Sequence, residues 1–316
     1  MPLTTRQYVN RILCGDALTI LKKLPSESVN CVVTSPPYWS LRDYGVAGQI
    51  GLEDSFEQYL TALLSVFGEI RRVLQPEGTC WVNLGDTYST RSSRQGTPQP
   101  ALSQNSNKAL HFLKPPAPAF VPPKCLLQLP SRFALEMTSR GWTLRNEIIW
   151  HKPNCMPSSA RDRFTVDFEK LFFFVKSRRY HFMQQFEPLR EVKRLMRPLV
   201  KESGYRKRQY GDLRIAAINP ATAEASRRRM LANGRNKRCV WQVATRPFRG
   251  DHFAVFPPDL IETPILAACP EGGIVLDPFS GAGTTALVAR RLNRRFIGIE
   301  LNPKYVRMSM KRLRGA

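Results

Sequence analysis

Gly273-Ile274-Val275-Leu276-Asp277-Pro278-Phe279-Ser280-Gly281-Ala282-Gly283-Thr284-Thr285 is the passage from which the architecture follows. Its first five residues read as a short buried strand, the glycine-bearing turn follows, and a helix is predicted through Leu292. A second strand, Arg295 to Ile299, ends in Glu300, 19 residues beyond Gly281. The glycines let backbone approach a ligand at a helix N-terminus, where unpaired N–H groups attract a carboxylate or phosphate. An acid about 20 residues on, at the tip of the next strand, can accept hydrogen bonds from both ribose hydroxyls. Together these features indicate an adenosine-bearing ligand. Thr284-Thr285-Ala286 stands where a dinucleotide fingerprint would place its third glycine, which argues against NAD.

Only 16 residues follow Glu300, so the rest of the sheet is expected upstream. Arg11 to Cys14 reads as a strand entering Gly15-Asp16-Ala17, with a helix through about Leu24. Val29 to Thr34 is the next strand. Ser55 to Leu74 has helical apolar spacing, with Ser55 as its cap and Gln75-Pro76-Glu77-Gly78 as its stop. Strands are predicted at Thr79 to Leu84, Leu144 to His151 and Lys170 to Val175, and a helix around Leu126 to Arg140. Strands alternating with helices at this spacing predict a doubly wound, mostly parallel α/β sheet. Ligands bind at the C-terminal strand ends of such sheets, so Asp16, Ser35, Asp277 and Glu300 are expected in one crevice.

The strand ending at Thr34 runs into Ser35-Pro36-Pro37-Tyr38-Trp39. Each proline removes a donor and restricts its predecessor, so the chain must leave the sheet at Ser35. The result is a stiff loop with a hydroxyl, carbonyls lacking ladder partners and an exposed ring. Such a loop could grip a flat, polar-edged group such as a nucleobase, or be a turn whose aromatics pack on the core. The residues of the loop leave both readings open.

The chain has 316 residues, 42% hydrophobic and 10% aromatic, enough for a sizeable core. Its 48 Lys and Arg against 25 Asp and Glu give +23, a field that favours polyanions, nucleic acid above all. Fifteen Lys or Arg against four acids between Pro188 and Arg238 put +11 of that charge into 51 residues, with Tyr205 and Tyr210 interleaved. A phosphate-contacting segment fits this better than a solvated helical surface. Residues 89–123, rich in Ser, Gln, Asn and Pro, read as a long surface loop. No apolar run approaches a spanning length of roughly 18 residues, and the N-terminus has no signal-like apolar core. Seven scattered cysteines without a C-x-x-C pair point to reduced thiols, a cytoplasmic setting and no metal site.

Thr34-Ser35-Pro36-Pro37-Tyr38-Trp39, Ile149-Trp150-His151-Lys152-Pro153-Asn154, His252 to Pro257, Asp277 to Thr285 and Phe296 to Glu300 occur in one order across nearly the whole chain. In this the chain resembles S-adenosylmethionine-dependent DNA amino-methyltransferases of the β class, with permuted motif order, as found in restriction-modification systems. The resemblance implies a Rossmann-like doubly wound methyltransferase sheet, circularly permuted, with an inserted basic target-recognition region. It divides the chain into a catalytic half (1–88), the loop (89–123), the remainder of that half (124–183), the recognition region (184–245) and a cofactor half (246–316).

Carried over, it places the methionine end of S-adenosyl-L-methionine at Asp277, Phe279, Gly281, Gly283, Thr284 and Thr285. Glu300 takes the ribose, Asp16 the adenine amine, and Phe253, Pro257 and Asn302 complete the cofactor wall. Ser35, Pro36, Pro37 and Tyr38 are the catalytic loop. Arg206, Lys207, Arg208, Arg227, Arg228 and Arg229 are the candidate contacts to double-stranded DNA. No membrane partner is expected, and the resemblance leaves room for a separate cognate restriction endonuclease.

C5 methylation of cytosine needs a cysteine nucleophile, which the family doing that chemistry presents after proline; no cysteine here follows one. Amine methylation instead needs hydrogen-bond acceptors for the amino hydrogens, here the Ser35 hydroxyl and the Pro36 carbonyl, with Tyr38 stacking on a flipped base. Serine at position 35 resembles the N4-cytosine enzymes, whereas aspartate is usual in adenine-N6 enzymes. The adenine alternative stays open here, as does a non-catalytic DNA-binding protein on the same fold.

Overall fold

The structure, a computed structural model, describes residues 5–89, 121–189, 220–246 and 256–315. Phe253, Arg206, Lys207, Arg208 and most of the 89–123 loop lie outside them. The chain forms two compact units, Met1–Met183 with Cys239–Ala316, and Gln184–Arg238.

The first unit is built on strands β1 (Arg11–Cys14), β2 (Val29–Thr34), β3 (Leu74–Leu84), β4 (Thr143–His151) and β5 (Phe168–Val175). Residues Val240–Gln242, Ile274–Asp277 and Arg295–Glu300 supply three more, β8, β9 and β10, numbered to leave β6 and β7 to the second unit. The order across the sheet is β1-β10-β9-β2-β3-β5-β4-β8. Every neighbour pair is parallel except those of β5, which is antiparallel to β3 and to β4. The C-terminal ends of seven strands and the N-terminal end of β5 therefore share one edge of the sheet.

Helices α1 (Ala17–Leu21), α2 (Phe56–Val73) and α3 (Leu129–Ser139) pack on one face. Ser55 caps α2 as its sequence predicts, accepting from the Gln58 N–H at 3.3 Å. After α4 (Pro220–Asn233) of the second unit, α5 (Pro258–Ala268), α6 (Thr284–Arg291) and α7 (Pro303–Arg314) cover the opposite face. Alternation along β2 explains how one strand serves both layers: Val32 belongs to the first core, Cys31 and Val33 to the second. The crossover from β2 to β3 uses the first face, and that from β9 to β10 the second. The strand order thus reverses between β9 and β2, where such sheets open a crevice. No helix among the described residues is long and apolar enough to cross a membrane.

The second unit contains α4 and a short antiparallel pair, β6 (Phe186–Glu187) with β7 (Arg235–Asn236). Glu187 accepts from Arg235 and Arg238, each at 2.6 Å. The boundary expected at 245 moves to 238, because Val240, Trp241 and Gln242 pair with Ile149, Trp150 and His151 as an edge strand of the large sheet. Three residues were too short a run to read as a strand.

Candidate active site

Gly15, Asp16, Ser35, Asp277, Gly281 and Glu300 line a single cavity of about 820 Å³ at the β9–β2 reversal. Pro36, Pro37, Tyr38, Phe279, Thr284 and Asn302 also line it. Residues from opposite ends of the chain meet there because β1 and β10 are paired in register, with Cys14 beside Glu300.

Asp277, at the end of β9, is 2% exposed. Its carboxylate accepts from Thr34 Oγ1 (2.7 Å), Thr285 Oγ1 (2.6 Å) and the Phe279 N–H (3.1 Å), tying β2 and α6 to the turn. Burial nevertheless pushes this carboxyl up to about 6, against the lowering effect of the Thr285, Thr34 and Phe279 donors. The native state therefore keeps a proton that the unfolded chain, with an ordinary value near 3.8, has already released. The contribution to stability is greatest below about pH 4 and falls as pH rises through 6, by at most about 1.4 kcal/mol per pH unit. Asp277→Asn is expected to flatten the urea-unfolding free energy of the ligand-free protein between pH 4 and 6. A variant that keeps the full wild-type slope would exclude Asp277 as its source.

Glu300 accepts from the Gly281 N–H and the Asn302 N–H, both at 2.8 Å. Burial raises its carboxyl above the ordinary range, opposed by these two amides. Asp16 caps α1 through Oδ1, which accepts from the Thr19 N–H at 2.8 Å. Asn302 caps α7, accepting from the Lys304 N–H at 2.9 Å, and its amide donates to the Tyr44 carbonyl at 3.4 Å.

Three residues expected at the cofactor lie behind the cavity wall. Gly283, at φ 75°, begins α6, and a Cβ there would stand 2.7 Å from Ser309 Cβ of α7, so its missing side chain serves helix packing. Thr285 is 1% exposed and spends its hydroxyl on Asp277. Pro257 is buried at the start of α5, while its neighbour Phe256 lines the cavity.

The Ser35 loop is held from several sides. Tyr59 donates its hydroxyl to the Pro37 carbonyl at 2.9 Å, leaving the Pro36 carbonyl as the loop's candidate acceptor. Of the two aromatics, Trp39 is core, 1% exposed, donating Nε1–H to the Glu53 carbonyl at 2.9 Å. Tyr38 is half-buried and its ring lies on Gly85, where a Cβ would come within 2.6 Å of Cε2. Ser35 Oγ donates to the Tyr38 hydroxyl at 3.5 Å, and that hydroxyl donates to Glu169 at 2.7 Å. Glu169 also accepts from the Asn83 amide at 3.0 Å and pairs with Lys152, whose ammonium lies 4.5 Å from the Trp150 ring centroid. Burial first, then the Glu169 charge, raises the Tyr38 hydroxyl well above its ordinary value, so it stays protonated as a donor.

Glu169, Asn83, Lys152, Arg42 and Tyr44 line the cavity and were missed in the sequence. Glu169 reaches it only because β5 runs against its neighbours and so starts at the edge where the cavity opens. Lys152 stood in a quoted motif without a role. Arg42 places its buried Nε and Nη1 without a hydrogen-bond partner among the described residues. In the second unit, Arg228 and Arg229 are exposed and Arg227 half-exposed on α4. Arg229 pairs with Gln184 and lies over the Phe186 ring, 5.9 Å from its centroid.

A profile of a DNA methylase family matches residues 29–311. The chain is 42% identical over 301 residues to type II methyltransferase M.Cfr9I of Citrobacter freundii, covering 95% of this chain and 86% of that one. It is 38% identical over 303 residues to M.SmaI of Serratia marcescens, with 96% and 90% covered. Among solved structures, the PvuII DNA methyltransferase (cytosine-N4-specific) shares the fold, with a TM-score of 0.60 at 20% identity over 96% of this chain and 88% of that one. The Thermus thermophilus protein TTHA0409, complexed with S-adenosyl-L-methionine, has a TM-score of 0.56 at 25% identity, covering 96% and 94%. With a matched profile spanning most of its length and relatives this similar end to end, the chain belongs to the DNA methylase family.

Proposed function

We propose that this chain is a site-specific DNA methyltransferase that uses S-adenosyl-L-methionine to methylate the exocyclic N4 amine of a cytosine flipped out of duplex DNA. The observation that carries the reading is one shared cavity, which joins the Ser35-Pro36-Pro37-Tyr38 loop to the Asp277–Gly281 turn and Glu300.

The cavity's chemistry suits that cofactor. Glu300 and Asp16 each use only part of their acceptor capacity on backbone amides, which leaves lone pairs for ribose hydroxyls and an adenine amine. Phe256 and Phe279 supply apolar wall. The unpartnered Arg42 nitrogens would be satisfied by a carboxylate. When bound, the cofactor supplies an electrophilic methyl group on a sulfonium. Asp277 acts at one remove, holding the turn and β2 in register.

An aromatic amine is a poor nucleophile because its lone pair is delocalised into the ring. Accepting hydrogen bonds from its N–H groups favours the tetrahedral, nucleophilic form. Ser35 can accept only if its own hydrogen points away, and the run Ser35 to Tyr38 to Glu169 directs it so. Pro36 contributes a carbonyl that cannot move far. The exposed arginines of α4 would meet phosphates, an interaction that weakens with salt.

Serine at position 35, rather than a carboxylate, supports cytosine N4 over adenine N6. Duplex DNA methylated by the purified protein with labelled cofactor, then digested to nucleosides, is expected to contain N4-methylcytosine. N6-methyladenine without N4-methylcytosine would overturn the assignment of base. A cognate endonuclease acting separately fits the type II relatives and is part of the proposal.

A further inference from the structure

The connection between β4 and β5 carries the two most exposed large apolar side chains among the described residues, Met156 at 88% and Phe164 at 96%. Isolated exposed apolar residues are ordinary, but these two share one connection, and its neighbouring residues reach the cavity. Met156 and Val166 line the catalytic cavity, and both also line an adjoining hollow of about 330 Å³ with Arg163 and Thr165. The connection is pinned at its base, where Lys152 N–H donates to the Asp167 carbonyl (2.7 Å) and Asn154 exchanges hydrogen bonds with Thr245 (2.9 Å each). Arg161 and Arg163 precede Phe164, Asp162 between them pairs with Lys124 at 2.6 Å, and the Arg163 guanidinium stands 3.5 Å from the Tyr88 ring centroid. An exposed phenyl ring next to Arg163, in a connection whose Thr165 and Val166 line the hollow beside the catalytic cavity, matches duplex DNA, whose phosphates meet the cation and whose stacked bases accept an apolar side chain.

We infer that Phe164 enters the base stack at the position vacated by the target base, and so stabilises the flipped state. The inference rests on the reading that this enzyme methylates a flipped base. Extracting a base costs its pairing and stacking, least where the base is already mispaired. An inserted ring recovers part of the stacking.

The test uses the full chain and a duplex carrying one site that the wild-type protein methylates, located by sequencing the labelled product, either correctly paired or with the target base opposite a mismatched partner. Phe164→Ala is expected to lower the single-turnover methylation rate on the paired duplex by about ten- to a hundredfold, and to lose most of that defect on the mismatched duplex. Phe164→Trp should keep most of the activity, and calorimetric affinity for S-adenosyl-L-methionine should be unchanged in both variants. An equal loss on the two duplexes, no loss on either, or a change in oligomeric state without a rate effect would each overturn the inference. Failure of the underlying reading is separately visible, because the wild type would then methylate neither duplex.

Discussion

Ser35→Ala is expected to lower turnover by about a hundredfold or more, the scale on which an oriented polar contact to the reacting group contributes. Affinity for S-adenosyl-L-methionine and for duplex DNA should stay largely intact. The separation is expected because the loop's shape does not depend on that hydroxyl. Two prolines restrict its backbone, Trp39 anchors it in the core, Tyr59 holds the Pro37 carbonyl, and the Ser40 N–H donates to the Gly51 carbonyl at 2.7 Å. The neighbouring Thr34 ties the strand end to Asp277. Removing one oxygen therefore leaves a preformed loop with one acceptor fewer, and the deficit falls on the chemical step. Single-turnover rates set against calorimetric binding constants measure the two effects separately. A variant with near-normal turnover would remove Ser35 from the mechanism.

Gly283→Val is expected to cost about 2–5 kcal/mol of folding stability, from the left-handed backbone imposed on a β-branched residue and the overpacking against Ser309. The motif alone suggested that a side chain here would block the cofactor. The structure turns the missing Cβ toward α7, while Ala282 and Thr284 on either side line the cavity. Urea unfolding should register the loss, and the fraction that remains folded should still bind S-adenosyl-L-methionine by calorimetry. Wild-type stability combined with lost binding would return this glycine to the ligand.

Local chemistry carried much of the fold. Arg11–Cys14 and Val29–Thr34 were readable to the residue because strand-length apolar runs end in glycine or proline. The cap at Ser55 and the upstream origin of the strands that complete the sheet were equally legible. The basic segment was legible by its charge but its elements were not, since a helix such as α4, with Arg227, Arg228 and Arg229 in succession, carries no apolar stripe to announce it.

Among the cavity-lining residues, those legible in advance were marked by their immediate neighbours: a serine before two prolines, a glycine turn, an acid at a strand end. Glu169, Asn83, Lys152 and Arg42 gave no such signal. A glutamate beginning an apolar strand, or an arginine in a loop, is ordinary until pairing brings it to the cavity, and β5 running antiparallel is what places Glu169 against the Tyr38 hydroxyl. Conversely, Gly283, Thr285 and Pro257 share a motif with cavity-lining residues yet do not line the cavity, because successive residues of a turn face different ways. Short-range rules of strand, turn and cap are written into neighbouring residues. Which side chains converge depends on contacts between residues as far apart as Thr34 and Asp277, and those exist only once the sheet has closed around them.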